Sequence, residues 1–299
     1  MDAIAVAGLR YSYGEFEAVG GVDLTVAEGE VFALLGTNGA GKTTTLEIIE
    51  GFRAPAEGTV RVLGHDPWRA RHRLAPSVGV LLQESGLIGE LTVAETLTLW
   101  AGVSARADDP AAVLARLDLA HRADVAVEQL SGGERRRLDV AVATWGRPRL
   151  VVLDEPSTGL DPESRQRVWA LIEDLAAGGA TVLLTTHHLE EAEALADRVA
   201  IMRAGRIQVA GTLDEVLASR PARITATLPA GSPALPAFSG RPTVASGALT
   251  VETAELQDDL AALLRWAETH GVRLGQLGAT QASLQEVFLE LASVPMGGS

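Results

Sequence analysis

Residues 31–45 read VFALLGTNGAGKTTT, and Gly36 to Thr43 within them fit the pattern G-x-x-x-x-G-K-[ST]. No other stretch constrains the fold as strongly, because this pattern works only between a buried strand and the start of a helix. VFALL supplies the strand, and the chain from Lys42 onward is the expected helix. Gly36, Gly39 and Gly41 let the backbone curl until its N–H groups converge on phosphate oxygens. Thr37, Asn38 and Ala40 contribute backbone to the same cradle, and Thr44 follows it into the helix. Lys42 is suited to set its ammonium against the β- and γ-phosphates of a nucleotide, and Thr43 to offer a hydroxyl to Mg²⁺. The helix N-terminus adds favourable charge for the anion. A glycine-rich turn that happens to carry Lys-Thr is the alternative, and the flanking strand and helix weigh against it.

Short apolar runs recur through the first two thirds of the chain: VFALL at 31–35, VGVLL at 78–82, LVVL at 150–153, TVLLT at 181–185 and RVAIM at 198–202. Runs of this length suit strands buried on both faces. Amphipathic stretches such as SRQRVWALIEDLAAGG at 164–179 lie between several of them. The alternation predicts an α/β core with a largely parallel sheet. Residues 84–140 interrupt it with mostly helical patterns, which reads as a helical subdomain.

The character changes near 218, where a stretch to 250 is rich in Ala, Pro, Gly and Ser. ELQDDLAALLRWAETHG at 255–271 then reads as a helix closed by Gly271. In SLQEVFLELAS at 283–293, Ser283 and Glu286 stand in capping-box spacing. Leu284, Val287, Phe288 and Leu291 fall on one face of that helix. The expected domains are 1–217 and a small α+β appendage, 218–299.

The chain carries 25 Lys+Arg against 39 Asp+Glu, a net charge of −14. That balance speaks against a broad nucleic-acid surface. With no cysteine there is neither a disulfide nor a thiolate metal site, which suits a reducing cytosol. No apolar run approaches the roughly 18–20 residues that a membrane span needs. The first residues, MDAIAVAGLRYSYGEF, carry Asp2 and no basic cluster, so they do not read as a secretory signal. If the chain works at a membrane, another chain supplies the membrane part. His65, His72, His121 and His270 show no metal-ligand spacing.

Two further stretches narrow the nucleotide chemistry. In RLVVLDEPSTGLDP at 149–162, four apolar residues lead into Asp154 at a strand end. Asp154 suits a Mg²⁺ ion, directly or through water. Glu155 is expected to point elsewhere, because strand side chains alternate, and so to polarise an attacking water. In QLSGGERRRLDVAVA at 129–143, the Gly-Gly after Ser131 offers backbone amides at a helix start, a second anion site. Arg135, Arg136 and Arg137 behind it read as a solvated or inter-subunit face.

LSGGE, after a phosphate loop and before VVLDEP, resembles the signature of the ATP-binding cassette (ABC) family. That resemblance covers roughly residues 3–217 and implies a P-loop ABC-type nucleotide-binding domain, a RecA-like core with a helical subdomain, binding ATP and Mg²⁺. It implies further roles, residue by residue. Tyr13 matches the aromatic residue that stacks on adenine, with Tyr11 the alternative. Gln83 matches the glutamine that senses Mg²⁺ and faces the membrane partner. Ser131, Gly132, Gly133 and Glu134 match the signature that touches the γ-phosphate. Asp161 matches the D-loop, and His187 the switch histidine. Thr37 departs from the proline of many relatives, at a position that contributes backbone. Catalysis is expected from Glu155, His187 and Lys42.

The resemblance also implies a dimer of cassettes, homo- or heteromeric, since ATP in this family lies between the loop of one copy and the signature of the other. It implies a separate integral membrane permease, no nucleic acid, and a cytoplasmic location on the inner face of the membrane through that permease. ESGLIGELTVAETL after Gln83 matches the family region that docks on the permease. That stretch, TTHHLEEAE and the terminal SLQEVFLELAS are similar to the daunorubicin-resistance type of drug-export ATPases of the ABC-2 group. The competing expectation is a non-transport ABC ATPase acting in DNA repair or on ribosomes. The interval from Lys42 to Ser131 carries no heptads, and one set of motifs is present, which speaks against both of those forms.

Overall fold

The computed structural model describes residues 1–83, 86–218, 221–281 and 283–293. Two compact units divide the chain, Met1–Thr212 and Leu213–Ser299. Helix Leu213–Ala218 thus belongs with the second unit, rather than ending the first near 217.

The first unit is built on a six-stranded sheet ordered Val78–Leu81, Leu150–Asp154, Thr181–Thr186, Val31–Gly36, Arg198–Arg203 and Arg206–Thr212. The first five strands run parallel and the last is antiparallel. Strands Val31–Gly36, Leu150–Asp154 and Thr181–Thr186 are buried at every residue. This is why their sequences are continuous apolar runs and not alternations. Each fully buried Leu or Phe among them, such as Phe32, Leu34 or Leu183, stabilises the fold by roughly 2 kcal/mol through area removed from water.

A second, antiparallel sheet, ordered Phe16–Ala27, Asp2–Tyr13 and Glu57–Val62, packs into the same core. The run-based reading does not name it, because one face alone is apolar: Val22, Leu24 and Val26 are buried while Asp23 and Thr25 are exposed.

The interrupting segment is helical, with Val93–Val103, Pro110–Arg116 and Gly132–Ala143 as its main helices. Thr92 and Glu95 close a capping box at the first, and Asp109 caps the second ahead of Pro110. Arg106 ties the segment to the sheet edge by donating to the carbonyls of Trp145, Ala75 and Val78. Gly79 is required where this strand meets the helix end, since a Cβ there would lie 2.0 Å from the Ala143 carbonyl oxygen.

The second unit is α+β. Its antiparallel sheet is ordered Arg241–Ala245, Ala248–Thr253, Ala222–Thr227 and Gly275–Thr280. Leu263, Trp266 and Ala267 of helix Leu256–Thr269 pack on Ile224, Leu249 and Val251 to form a separate core. Gly271 follows that helix with φ 64°, the left-handed turn that lets it stop. The Ser283 hydroxyl accepts from the Glu286 N–H at the start of helix Leu284–Ser293.

Among the described residues, no helix is long and apolar enough to cross a membrane. The proposed docking stretch after Gln83 begins with Glu84 and Ser85, which lie outside the described residues.

Candidate active site

Four neighbouring parallel strands end side by side, and each delivers a motif residue just past its carboxyl end. In sheet order these are Gln83, the Asp154–Glu155 pair, His187 and the loop Gly36–Thr43. Sites in open parallel sheets gather at this edge because the connecting loops all lie there.

The loop leaves strand Val31–Gly36 and enters helix Lys42–Ile49. Gly41 sits at φ 104°, and a Cβ on it would lie 2.4 Å from the Ala18 carbonyl oxygen. Only glycine meets both demands. Thr37, Asn38 and Gly39 are exposed at the tip, while Ala40 is buried and donates its N–H to the Thr37 carbonyl at 3.1 Å. Lys42 is 6% exposed. Its Nζ donates to the carbonyls of Gly36 at 2.7 Å and Thr37 at 3.3 Å, and lies 3.9 Å from Oε1 of Glu155. Burial lowers the ammonium's pKa, opposed by the charges of Glu155 and Asp154.

Asp154 and Glu155 face different partners. Asp154 accepts from Thr43 Oγ1 at 3.2 Å and from the Thr185 hydroxyl. These are oxygen donors, the kind that suits Mg²⁺. Glu155 turns toward Lys42, Thr158 and His187. Its Oε2 accepts from Thr158 Oγ1 at 2.7 Å and lies 2.5 Å from His187 Nδ1. Strand alternation is not the cause of the divergence. The strand ends at Asp154, and Glu155 has left-handed backbone with φ 51°, which costs a non-glycine residue roughly 1–2 kcal/mol. Its N–H is held by the Thr185 carbonyl at 3.1 Å.

The signature segment forms a separate cluster. Ser131 caps helix Gly132–Ala143, and its hydroxyl accepts from the Glu134 N–H at 3.2 Å. Oε2 of Glu134 accepts from Ser131 N and Oγ at 2.8 and 2.9 Å, and Oε1 accepts from Arg122 Nε at 2.6 Å. Burial raises this carboxyl, but the Ser131 bonds and the Arg122 guanidinium outweigh it and hold the pKa at about 2. Both oxygens of Glu134 are thus engaged within the chain, where they fix the turn that opens the helix. Ser131 and Gly132 themselves are exposed. Among the described residues, no hydrogen bond joins them to the loop Gly36–Thr43.

The remaining predicted residues lie around these clusters. Gln83 is exposed and lines a cavity of about 370 Å³ with Gly132, Arg135, Thr158 and Gly159. Among the described residues no hydrogen bond joins it to Thr43 or Asp154. Asp161 caps helix Pro162–Ala177 through the Ser164 N–H at 3.0 Å. Tyr13 stands 43% exposed beside the loop helix, its hydroxyl 3.4 Å from Thr44 Oγ1. Tyr11 is packed partly into the core, which leaves Tyr13 the more open ring.

Of the arginines expected to form a solvated or inter-subunit face, Arg135 is half-buried at the cavity beside Gln83, and the other two are buried. Arg136 and Arg137 are 9% and 7% exposed, and Arg137 donates to Ser164 Oγ at 2.9 Å. Thr158 and Thr185, which hold Glu155 and Asp154, lie inside the stretches RLVVLDEPSTGLDP and TTHHLEEAE, where the motifs assign them no role; strand register brings Thr185 opposite Asp154.

A family model described as ABC transporter matches residues 19–158. A second, for the C-terminal domain of ABC transporter domain-containing-like proteins, matches residues 222–283. The daunorubicin resistance ATP-binding protein DrrA3 of Streptomyces coeruleorubidus is 36% identical over 304 residues, covering 97% of this chain and 95% of that protein. The chain belongs to the ABC transporter family. The cassette is also 35% identical to the Nod factor export ATP-binding protein I of Ralstonia nicotianae, over 98% of this chain and 94% of that one. Among solved structures, the cassette MJ0796, dimeric in a post-hydrolysis state with ADP and Pi, superposes with a TM-score of 0.63 at 25% identity. It covers 70% of this chain and 98% of its own.

Proposed function

We propose that this cassette binds and hydrolyses ATP to power an exporter whose membrane domain is a separate chain. One observation carries the chemistry: the Glu155 carboxylate is held between the Lys42 ammonium and the His187 imidazole, one strand end away from Asp154 and Thr43. A buried ammonium, a buried carboxylate and an imidazole that lies against it from the exposed side are what phosphoryl transfer to water needs.

Glu155 is the base that takes the proton of the attacking water. Lys42 releases the Gly36 and Thr37 carbonyls to meet the β- and γ-phosphates. His187 moves its N–H from Glu155 to the γ-phosphate and stabilises charge as it develops. Mg²⁺, held by the Thr43 hydroxyl and the Asp154 carboxylate with Gln83 nearby, would neutralise charge on the phosphate oxygens. Tyr13 is the ring for adenine.

The site is completed by a second cassette, like or unlike this one. Ser131, Gly132 and Gly133 of one copy close over ATP held by the loop of the other, with Asp161 beside them. This reading rests on the exposure of Ser131 and Gly132 and on the dimeric cassette that this chain resembles. Closed and open dimers are then two populations that ATP binding and hydrolysis shift. The export role rests on the relatives, which are named for daunorubicin resistance and Nod factor export. The permease would hold the cassette at the membrane's inner face through the segment after Gln83. These relatives give no support to a role in DNA repair or on ribosomes.

Glu155→Gln tests the chemistry. ATP binding should persist, phosphate release should fall at least a hundredfold, and ATP should drive the variant into a dimer visible by light scattering. Sustained turnover in that variant would remove Glu155 as the base. Co-purification with a multi-spanning membrane protein encoded nearby, and an ATPase rate that changes on reconstitution, tests the export role. A stable complex with ribosomes or DNA in its place would overturn it.

A further inference from the structure

One buried guanidinium joins three parts of the site that the motifs treat separately. Arg136 lies on the signature helix Gly132–Ala143 and is 9% exposed. Its Nη2 donates to the backbone carbonyls of Asp154 and Glu155, at 2.5 and 2.7 Å, and its Nε to that of Pro156 at 3.3 Å. Its Nη1 donates to the carbonyl of Leu82, the residue before Gln83, at 2.8 Å. The planar fork of arginine can serve several carbonyls at once, whereas a lysine ammonium presents a single point of charge.

The carbonyls it grips belong to a strained turn. Glu155 has φ 51°, and a non-glycine residue keeps such a conformation only where its surroundings over-determine it. On the N–H side the restraint is Thr185. On the carbonyl side it is Arg136, together with the Thr158 N–H that donates to the Glu155 carbonyl at 3.3 Å. Without the fork, the Glu155 carbonyl keeps only that longer bond and its neighbours at Asp154 and Pro156 lose the guanidinium, so the turn is freer to relax toward an ordinary φ. The carboxylate that lies between Lys42 and His187 would then swing away from both. Arg136 makes no hydrogen bond to the loop Gly36–Thr43 among the described residues, so nucleotide binding has no direct dependence on it.

From this geometry we infer that Arg136 is a positioning residue for Glu155. It fixes the backbone that aims the carboxylate, and it makes that aim depend on how the signature helix and the Gln83 segment are seated. When Ser131 and Gly132 engage ATP in a second cassette, any shift of their helix is carried by this guanidinium to Glu155. The inference rests on the reading of Glu155 as the base.

The test compares Arg136→Lys and Arg136→Gln with the wild-type full chain in ATP affinity, kcat and melting temperature, with Glu155→Gln measured in parallel. The expected result is a kcat lower by roughly 10- to 100-fold, since small misplacements of a reacting group are costly. ATP affinity should stay within about threefold, because the phosphate contacts are untouched. In the Glu155→Gln background, adding Arg136→Lys should change the residual single-turnover rate by less than about twofold, because the aimed group is already gone. If Glu155→Gln is inactive and either folded Arg136 variant keeps wild-type kcat, the inference falls while the role of Glu155 stands. Equal losses in affinity and kcat, additive losses in the double variant, or failure of both variants to fold would make Arg136 structural and overturn it equally. If Glu155→Gln turns over at the wild-type rate, the base assignment itself falls, and the positioning role falls with it.

Discussion

Nδ1 of His187 lies 2.5 Å from Oε2 of Glu155. The two residues come from adjacent parallel strands, paired with Asp154 opposite Thr185, so one-residue slippage of that register would separate them. On the proposed reading, this contact orients the imidazole and the carboxylate toward the γ-phosphate and the attacking water.

Replacing His187 by Ala should therefore affect turnover more than binding. Removing one preorganised donor to developing charge lowers kcat by about 10²–10³-fold in comparable sites, while ATP affinity should change by only a few-fold. Steady-state phosphate release with a parallel nucleotide titration separates the two. An unchanged kcat would place the imidazole outside the reaction.

The composite site predicts complementation between two dead chains. Lys42→Ala lacks a working loop and Ser131→Arg a working signature. Mixed in equal amounts, half the dimers are heterodimers with one intact site of two, so about a quarter of wild-type activity returns if two-fold pairing is random. Activity no higher than either homodimer's would exclude a site shared between copies.

Glu50 predicts a pH-dependent stability. It is 8% exposed in a groove of about 440 Å³ lined by Phe52, Leu74, Trp100 and Val103, and its Oε1 has no hydrogen-bond partner among the described residues. Burial, helped by Asp154 and Glu47 and opposed by Arg71, raises its carboxyl to about 8 from an ordinary 4.5. The folded state then holds the extra proton between those values. Its stabilising effect is complete below pH 4.5 and lost as pH rises through 8. Glu50→Gln should melt like wild type near pH 5 and be more stable above pH 8, by on the order of 2–4 kcal/mol. A constant difference across pH would contradict the shift.

The second unit has its own core around Leu263, which is fully buried. Leu263→Ala should cost roughly 2–5 kcal/mol, the range for emptying a packed leucine site. Differential scanning calorimetry should show one transition lowered and another left in place. A single transition moving as a whole would mean that the two units melt together.

By itself, the sequence determined the parts that are local or periodic. Continuous apolar runs identified the buried parallel strands, because burial on both faces leaves no polar alternation. The loop Gly36–Thr43 was legible because its glycines answer to backbone geometry at fixed spacing, and Ser131 because it precedes Gly-Gly at a helix start in a stretch, LSGGE, that resembles the family signature. Tertiary structure decided what depends on residues brought from far apart. It turned Glu155 away from Asp154 through a left-handed backbone, where alternation predicted the same outcome for a different reason. It took both oxygens of Glu134 for the chain's own turn, and it buried Arg136 and Arg137, which a run of three arginines presents as solvated. The physical reason is that a charged side chain enters the interior only when groups of complementary kind satisfy it there. For Arg136 these are the carbonyls of Leu82, Asp154 and Glu155, and for Glu155 they include Lys42 and His187, partners at sequence distances that no local pattern spans.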